Sequence, residues 1–175
     1  MELETIFGLP AHPLLVHIPV ALIPLCAIGA IAMVISSTWR QRVGWVVVVI
    51  AGVAVVASQL AVGSGETLEE AMGEESQFLE RHAELGETFV WFALVFFLAI
   101  LALMIWDAMR RRKAAGEEDD HEPKRVSGRV ASLILSIVVV ITAVVASYRV
   151  YEVGHSGAKA VWSEDTVGSQ EPSED

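Results

Sequence analysis

Four stretches without a single charged residue, Pro13–Ile35, Val43–Leu60, Thr88–Trp106 and Val130–Tyr148, govern what this chain can become. A helix rises 1.5 Å per residue, so each is long enough to cross the ~30 Å hydrocarbon core of a bilayer. Lipid offers no partner to peptide groups, so an apolar segment there must bond internally, as a helix does. The expected fold class is therefore all-α, an integral membrane four-helix bundle. Charged residues are 19% of the chain, against the ~25% usual for soluble domains, which speaks against a soluble enzyme. The first stretch follows Glu2 and Glu4 with no Lys or Arg before it, and it is too long for a signal peptide. It reads as a retained span.

Basic residues set the expected orientation. Arg40 and Arg42 lie between the first two spans, and Arg110, Arg111, Arg112, Lys113, Lys124, Arg125 and Arg129 between the last two, which is nine of the twelve Lys and Arg. The positive-inside rule puts both connections in the cytoplasm and both termini outside, in a plasma (inner) membrane. The outer side is acidic. Gly63–Glu87 holds eight glutamates against Arg81, and the tail from Glu152 holds six acids against Lys159. Such a face disfavours nucleic acid and favours cations or a basic membrane or redox protein, with the lipid bilayer as the constant partner.

The connections carry their own patterns. Thr67-Leu-Glu-Glu70 fits a capping box, and Leu68, Met72, Leu79, His82, Leu85 and Gly86 follow at helical spacing with glutamates opposite. This predicts an amphipathic interfacial helix over about 66–85, between the second and third spans, with Gly73 as a candidate kink. Residues 107–129 read as a charged cytoplasmic linker that includes a solvated His121. The membrane domain is expected over residues 1–162, and a disordered acidic tail over 163–175. Gly29, Ala30, Gly44, Gly52, Ser132 and Ser136 are the small residues that let membrane helices approach. Pro19 and Pro24 free backbone carbonyls in the first span, which predicts that its outer half is buried in the bundle. The five tryptophans fall near the interfaces, as aromatic belts do.

Chemistry rests on histidine. Cys26 stands alone, so there is no internal disulfide, no thiol set for zinc or iron–sulfur ligation, and no C-x-x-C-H haem attachment. There is no H-E-x-x-H, P-loop or G-x-S-x-G. His12, His17, His82 and His155 all map to the outer side, and imidazole serves there as metal ligand, haem axial ligand or proton relay. Pro13 suits a first helical position, which places His12 at the cap and His17 one turn inside. His17 and His82 are then the expected inward pair, with His12 and His155 at the rim. Gly86, one turn after His82, leaves room for a flat ligand such as haem b, and Arg149 is positioned to pair with its propionates. Gln59 could orient a histidine. A transition metal held among His12, His17, His82 and His155 is the alternative cofactor. Glu152-Val-Gly-His155 has E-x-x-H spacing, but Gly154 and Gly157 predict that the helix ends there.

These residues also form a recognisable set. His12-Pro-Leu-Leu-Val-His-Ile-Pro-Val-Ala-Leu22, Gly65-Glu66, His82-Ala-Glu-Leu-Gly86 and Arg149-Val-Tyr-Glu-Val-Gly-His-Ser-Gly157 resemble the bacterial membrane family catalogued as domain of unknown function 2231. The resemblance covers about Pro10 to Trp162. It implies a four-helix multi-pass protein with histidines clustered on the outer side, and it supplies no reaction. The leading expectation is a haem b or transition-metal protein for electron transfer or redox sensing, with His17, His82, Gly86 and Arg149 at the cofactor. The second is a non-catalytic accessory subunit whose histidines are structural. A cation or proton pathway comes third, because no carboxylate lies within the spans and no inverted repeat is visible.

Overall fold

In the computed structural model the described residues are 5, 6, 9–72, 77–116 and 122–168. Two short strands, β1 (Thr5–Ile6) and β2 (Leu9–Pro10), pair antiparallel and lead into four helices: α1 (Ala11–Ile35), α2 (Ser37–Met72), α3 (Gln77–Gly116) and α4 (Glu122–Gly168). All four are long and apolar enough to cross a membrane. They form a four-helix bundle in which α1 packs on α2 and α4, and α3 packs on the same two neighbours.

The packing follows from side-chain size. Ala30, Ala51, Ala54, Ala93, Ala143 and Ala146 line the bundle axis, and the space between them is filled by Ile23, Met33, Phe96, Ile100 and Leu103. Helices with such small residues come close without a hydrophobic drive between them, as packing in lipid requires. Gly29 marks one close approach, since a Cβ there would come within 2.9 Å of Val47 Cγ2. The opposite faces carry Ile28, Val49, Trp91 and Ile141, all more than half exposed. Surface apolar residues on every helix would be an aggregation hazard in water and are the normal lining of a lipid-facing bundle.

Ser36 alone separates α1 from α2. Its amide donates to the Ala32 carbonyl, and its Oγ lies 3.4 Å from the Trp39 amide, so one residue ends α1 and N-caps α2. At this arginine-rich end Arg40 is only 8% exposed. Its Nε donates to the Met33 carbonyl over 2.9 Å, and Nη1 lies 3.7 Å from Asp107 Oδ1 on α3. Asp107 also accepts from Arg111 one turn later. By its place in the sequence Arg40 is only a flanking charge; in the fold it is a buried tie between three helices.

Several expected boundaries change. Residues 66–85 are helical where described, but they are not a separate interfacial helix. They extend α2 to Met72 and open α3 at Gln77, while Gly73 lies outside the described residues. Thr67 sits inside α2 with its Oγ donating to the Gly63 carbonyl at 3.0 Å, so it does not cap a helix start. The linker is likewise largely helical. α3 runs to Gly116 and α4 starts at Glu122, so that only 117–121, including His121, fall outside the described residues. α4 passes through Gly154 and Gly157 to Gly168, and the rest of the tail is not described. Glycine is permitted in a helix at a cost of about 1 kcal/mol each, which long helices with packed partners absorb. Pro19 and Pro24 both lie inside α1; Pro19 is buried, whereas Leu14, Ile18 and Val20 around it are exposed.

Candidate functional site

The site is at the end of the bundle opposite Arg40, where the start of α1, the far end of α2, the start of α3 and the far end of α4 meet. An apolar cavity of about 90 Å³ opens there, with His12, Ser58, Val62, His82, Gly86 and Phe89 among its walls. Glu66 and Glu87 also border it. His12 on α1 and His82 on α3 face each other across the bundle, with ring centroids 6.0 Å apart and planes at 89°.

Each ring is tied by its Nδ1 to a neighbouring helix. His12 Nδ1 lies 2.8 Å from the carbonyl of Ala61 on α2. A carbonyl only accepts, so Nδ1 carries the hydrogen and donates it. Ser64 Oγ is 3.5 Å from the same nitrogen and donates to the Ala61 carbonyl at 2.9 Å. His82 Nδ1 lies 3.0 Å from Oγ of Ser156 on α4. That hydroxyl gives its one hydrogen to the Val153 carbonyl at 2.8 Å, so its lone pair receives the His82 Nδ1–H. In its neutral form each ring therefore keeps a bare Nε2.

The pairing differs from the expected one. β2 leads directly into α1 at Ala11, so His12 is within the first turn rather than outside it. It shares the inward stripe of Pro19, Ile23 and Cys26, whereas His17 is exposed and its Nδ1 bonds the Pro13 carbonyl of its own helix. His155 is also exposed and stacks on Tyr151 at 5.8 Å. The four histidines are thus not one cluster. Among the described residues no group of three or more His, Cys, Asp or Glu could hold a metal ion. His12 and His82 are the pair that one ion could bridge.

Gly86 does line the cavity, and a Cβ there would meet only Val62 Cγ2, at 3.8 Å. Arg149 does not line it. Its Nη1 pairs with Glu152 Oε2 at 3.1 Å and its guanidinium lies 4.6 Å over the Phe92 ring, so it is turned away from the histidines. This also removes Glu152 from the E-x-x-H reading. Gln59 is exposed on α2 outside the cavity. Arg149→Gln is accordingly expected to leave any ligand at His12 and His82 bound as in the parent protein, and an unchanged absorption spectrum and metal content would check it. Ser64 and Ser156 answer to no catalytic or metal-ligand spacing rule; Ser156 lies within the Arg149–Gly157 string and Ser64 just before Gly65-Glu66, each followed by a glycine, as Ser127 also is.

The motif residues His12, Gly65, His82, Gly86 and Gly157 come from four helices and gather at one end of the bundle. A family model described as predicted membrane protein (DUF2231) matches residues 8–170. The chain belongs to the DUF2231 family. No curated protein and no solved structure matches it. This DUF2231 protein is thus a membrane protein of four apolar helices, and its chemistry has to be argued from its own residues. The cavity has room for an ion and several waters, since one water needs ~10–15 Å³. A haem macrocycle would need α2 and α3 to part along Val62 and Gly86.

Proposed function

We propose that this protein holds a transition-metal centre through Nε2 of His12 and His82, as a bare ion in the cavity as it stands or as haem iron only with α2 and α3 parted, and uses it for electron transfer or redox sensing on the non-cytoplasmic side of the membrane. The observation that carries the reading is the pair of imidazoles, each fixed through Nδ1, each lining one cavity, and facing each other at 6.0 Å between ring centroids. A metal-bound histidine characteristically donates its other ring N–H to a carbonyl, carboxylate or similar acceptor, which sets the tautomer and makes Nε2 the better ligand. Imidazole pairs suit copper, zinc, iron and nickel, with remaining positions left to water or a small ligand. Glu66 and Glu87 give the mouth a negative potential that draws cations and a basic redox partner.

An optical spectrum of the detergent-purified protein, oxidised and reduced, with elemental analysis alongside, tests this directly. Bands that shift on reduction identify haem iron; a protein without them that carries about one copper, iron or nickel per chain identifies a redox-active ion, whereas zinc, which has no redox chemistry, would keep the metal site and overturn the electron-transfer role. A protein that is colourless and metal-free, and takes up neither haem nor copper(II) nor cobalt(II) when supplied, overturns the proposal. The two histidines would then be struts that tie α1 to α2 and α3 to α4, as an accessory subunit would use them.

A further inference from the structure

The two halves of the site repeat each other. In the first, α1 supplies His12 and α2 supplies the Ala61 carbonyl, Ser64 and Gly65; in the second, α3 supplies His82 and α4 supplies the Val153 carbonyl, Ser156 and Gly157. In both, the serine hydroxyl bonds the carbonyl three residues before it. In both, the following glycine lies against the ring: a Cβ at Gly65 would come within 3.0 Å of His12 Cε1, and one at Gly157 within 2.9 Å of His82 Cε1.

The repeat extends down the helices. Counted from His12 and from His82, the buried residues of α1 and α3 fall in register: Ile23 with Ala93, Cys26 with Phe96, Ala30 with Ile100. Counted back from Ser64 and Ser156, so do those of α2 and α4: Ala54 with Ala146, Ala51 with Ala143, Val47 with Val139. α1 and α3 run in the same direction and sit diagonally, each between α2 and α4. The same arrangement of a helical hairpin is thus used twice, and His12 and His82 meet where the two copies face each other.

We propose that the two Ser-Gly units are equivalent positioning elements, and that Ser156 is the residue that holds His82 in the Nδ1–H form. This rests on the metal-centre reading for its purpose, though not for its test. The halves differ in one informative respect. His12 gives its Nδ1–H to the Ala61 carbonyl itself, whereas His82 gives its own to the Ser156 hydroxyl. Removing Ser64 leaves His12 with its acceptor, while removing Ser156 takes the 3.0 Å hydroxyl acceptor from His82 and leaves it only the weaker approach of the Val153 carbonyl.

The experiment is nitrogen NMR on ¹⁵N-histidine-labelled, metal-free protein in detergent or bilayers, which distinguishes protonated Nδ1 from protonated Nε2, paired with cobalt(II) titration. In the parent both site histidines carry the proton on Nδ1. In Ser156→Ala, His82 becomes a mixture of tautomers and cobalt(II) affinity falls about 10–100-fold, the range seen when a ligand's supporting hydrogen bond is removed. Ser156→Thr keeps a hydroxyl that can bond the same carbonyl and restores both signals. Ser64→Ala leaves the His12 tautomer as it was. An unchanged His82 spectrum in Ser156→Ala, or no recovery in Ser156→Thr, overturns the positioning role. If the tautomers respond as stated but the parent binds neither cobalt(II), copper(II) nor haem, the metal-centre reading falls and the positioning role stands.

Discussion

His12→Ala and His82→Ala should each bring metal or haem content to background in otherwise normally inserted protein, while His17→Ala retains the parent's content. The contrast is what gives the result its meaning, because His12 and His17 belong to the same helix and the same short motif. His12 and His82 line one cavity across the bundle, whereas His17 is exposed and bonded within its own helix. A two-ligand ion that loses one imidazole is left with a single histidine, and among the described residues no group of three or more His, Cys, Asp or Glu stands ready to hold it. The loss should therefore exceed the effect of removing a supporting hydrogen bond. Elemental analysis and the absorption spectrum of the three purified variants measure it. Loss in His17→Ala equal to that in His12→Ala would sink the assignment.

The largest effect on stability is expected from Arg40→Ala, at the other end of the molecule. The Met33 carbonyl is among the last of α1 and has no helical partner of its own, so Arg40 Nε satisfies a group that would otherwise be orphaned. The same guanidinium faces Asp107, which is mostly buried and keeps Arg111 when Arg40 is gone. Hydrogen bonds to charged groups contribute about 1.5–3 kcal/mol, and the loss of the carbonyl's partner places the change near the upper part of that range. Thermal unfolding in detergent should show a clearly lower midpoint with the metal content unaltered. Arg40→Lys should recover little, because an ammonium cannot reproduce the fork that reaches both the Met33 carbonyl and Asp107. An unchanged midpoint in Arg40→Ala would show that this tie contributes nothing to stability.

The spans are legible in the sequence because an apolar run of about twenty residues without a charge suits little besides the interior of a bilayer, and all four fall inside the observed helices. Their ends are not. Thr67-Leu-Glu-Glu70 has the residues of a helix start, yet α2 already runs through it, and a capping side chain has nothing to satisfy where the preceding turn supplies the acceptors. The histidine end is half legible. His82 follows correctly from the apolar stripe of its helix. Taking Pro13 as the first helical residue, by contrast, moves His12 off the helix and gives its inward role to His17. Tracing the stripe back from Cys26 through Ile23 and Pro19 leads to His12, and that phase information lies in the small and apolar residues rather than in Pro13. Arg149 illustrates a different gap: its position along α4 is evident, but its direction is set by Glu152 and Phe92, which no spacing rule ranks above a cofactor.

The single-residue corner at Ser36 has a consequence for how this family can change length. With no slack between α1 and α2, the two helices turn as one piece, and each added residue in a helix advances its facing by about 100°. An insertion at the corner that joins the helix would rotate α1 against α2 and carry His12 out of reach of the Ala61 carbonyl, a full membrane thickness away. The corner thus acts as an index mark for the far surface, and natural variation in loop length should be found elsewhere in the chain.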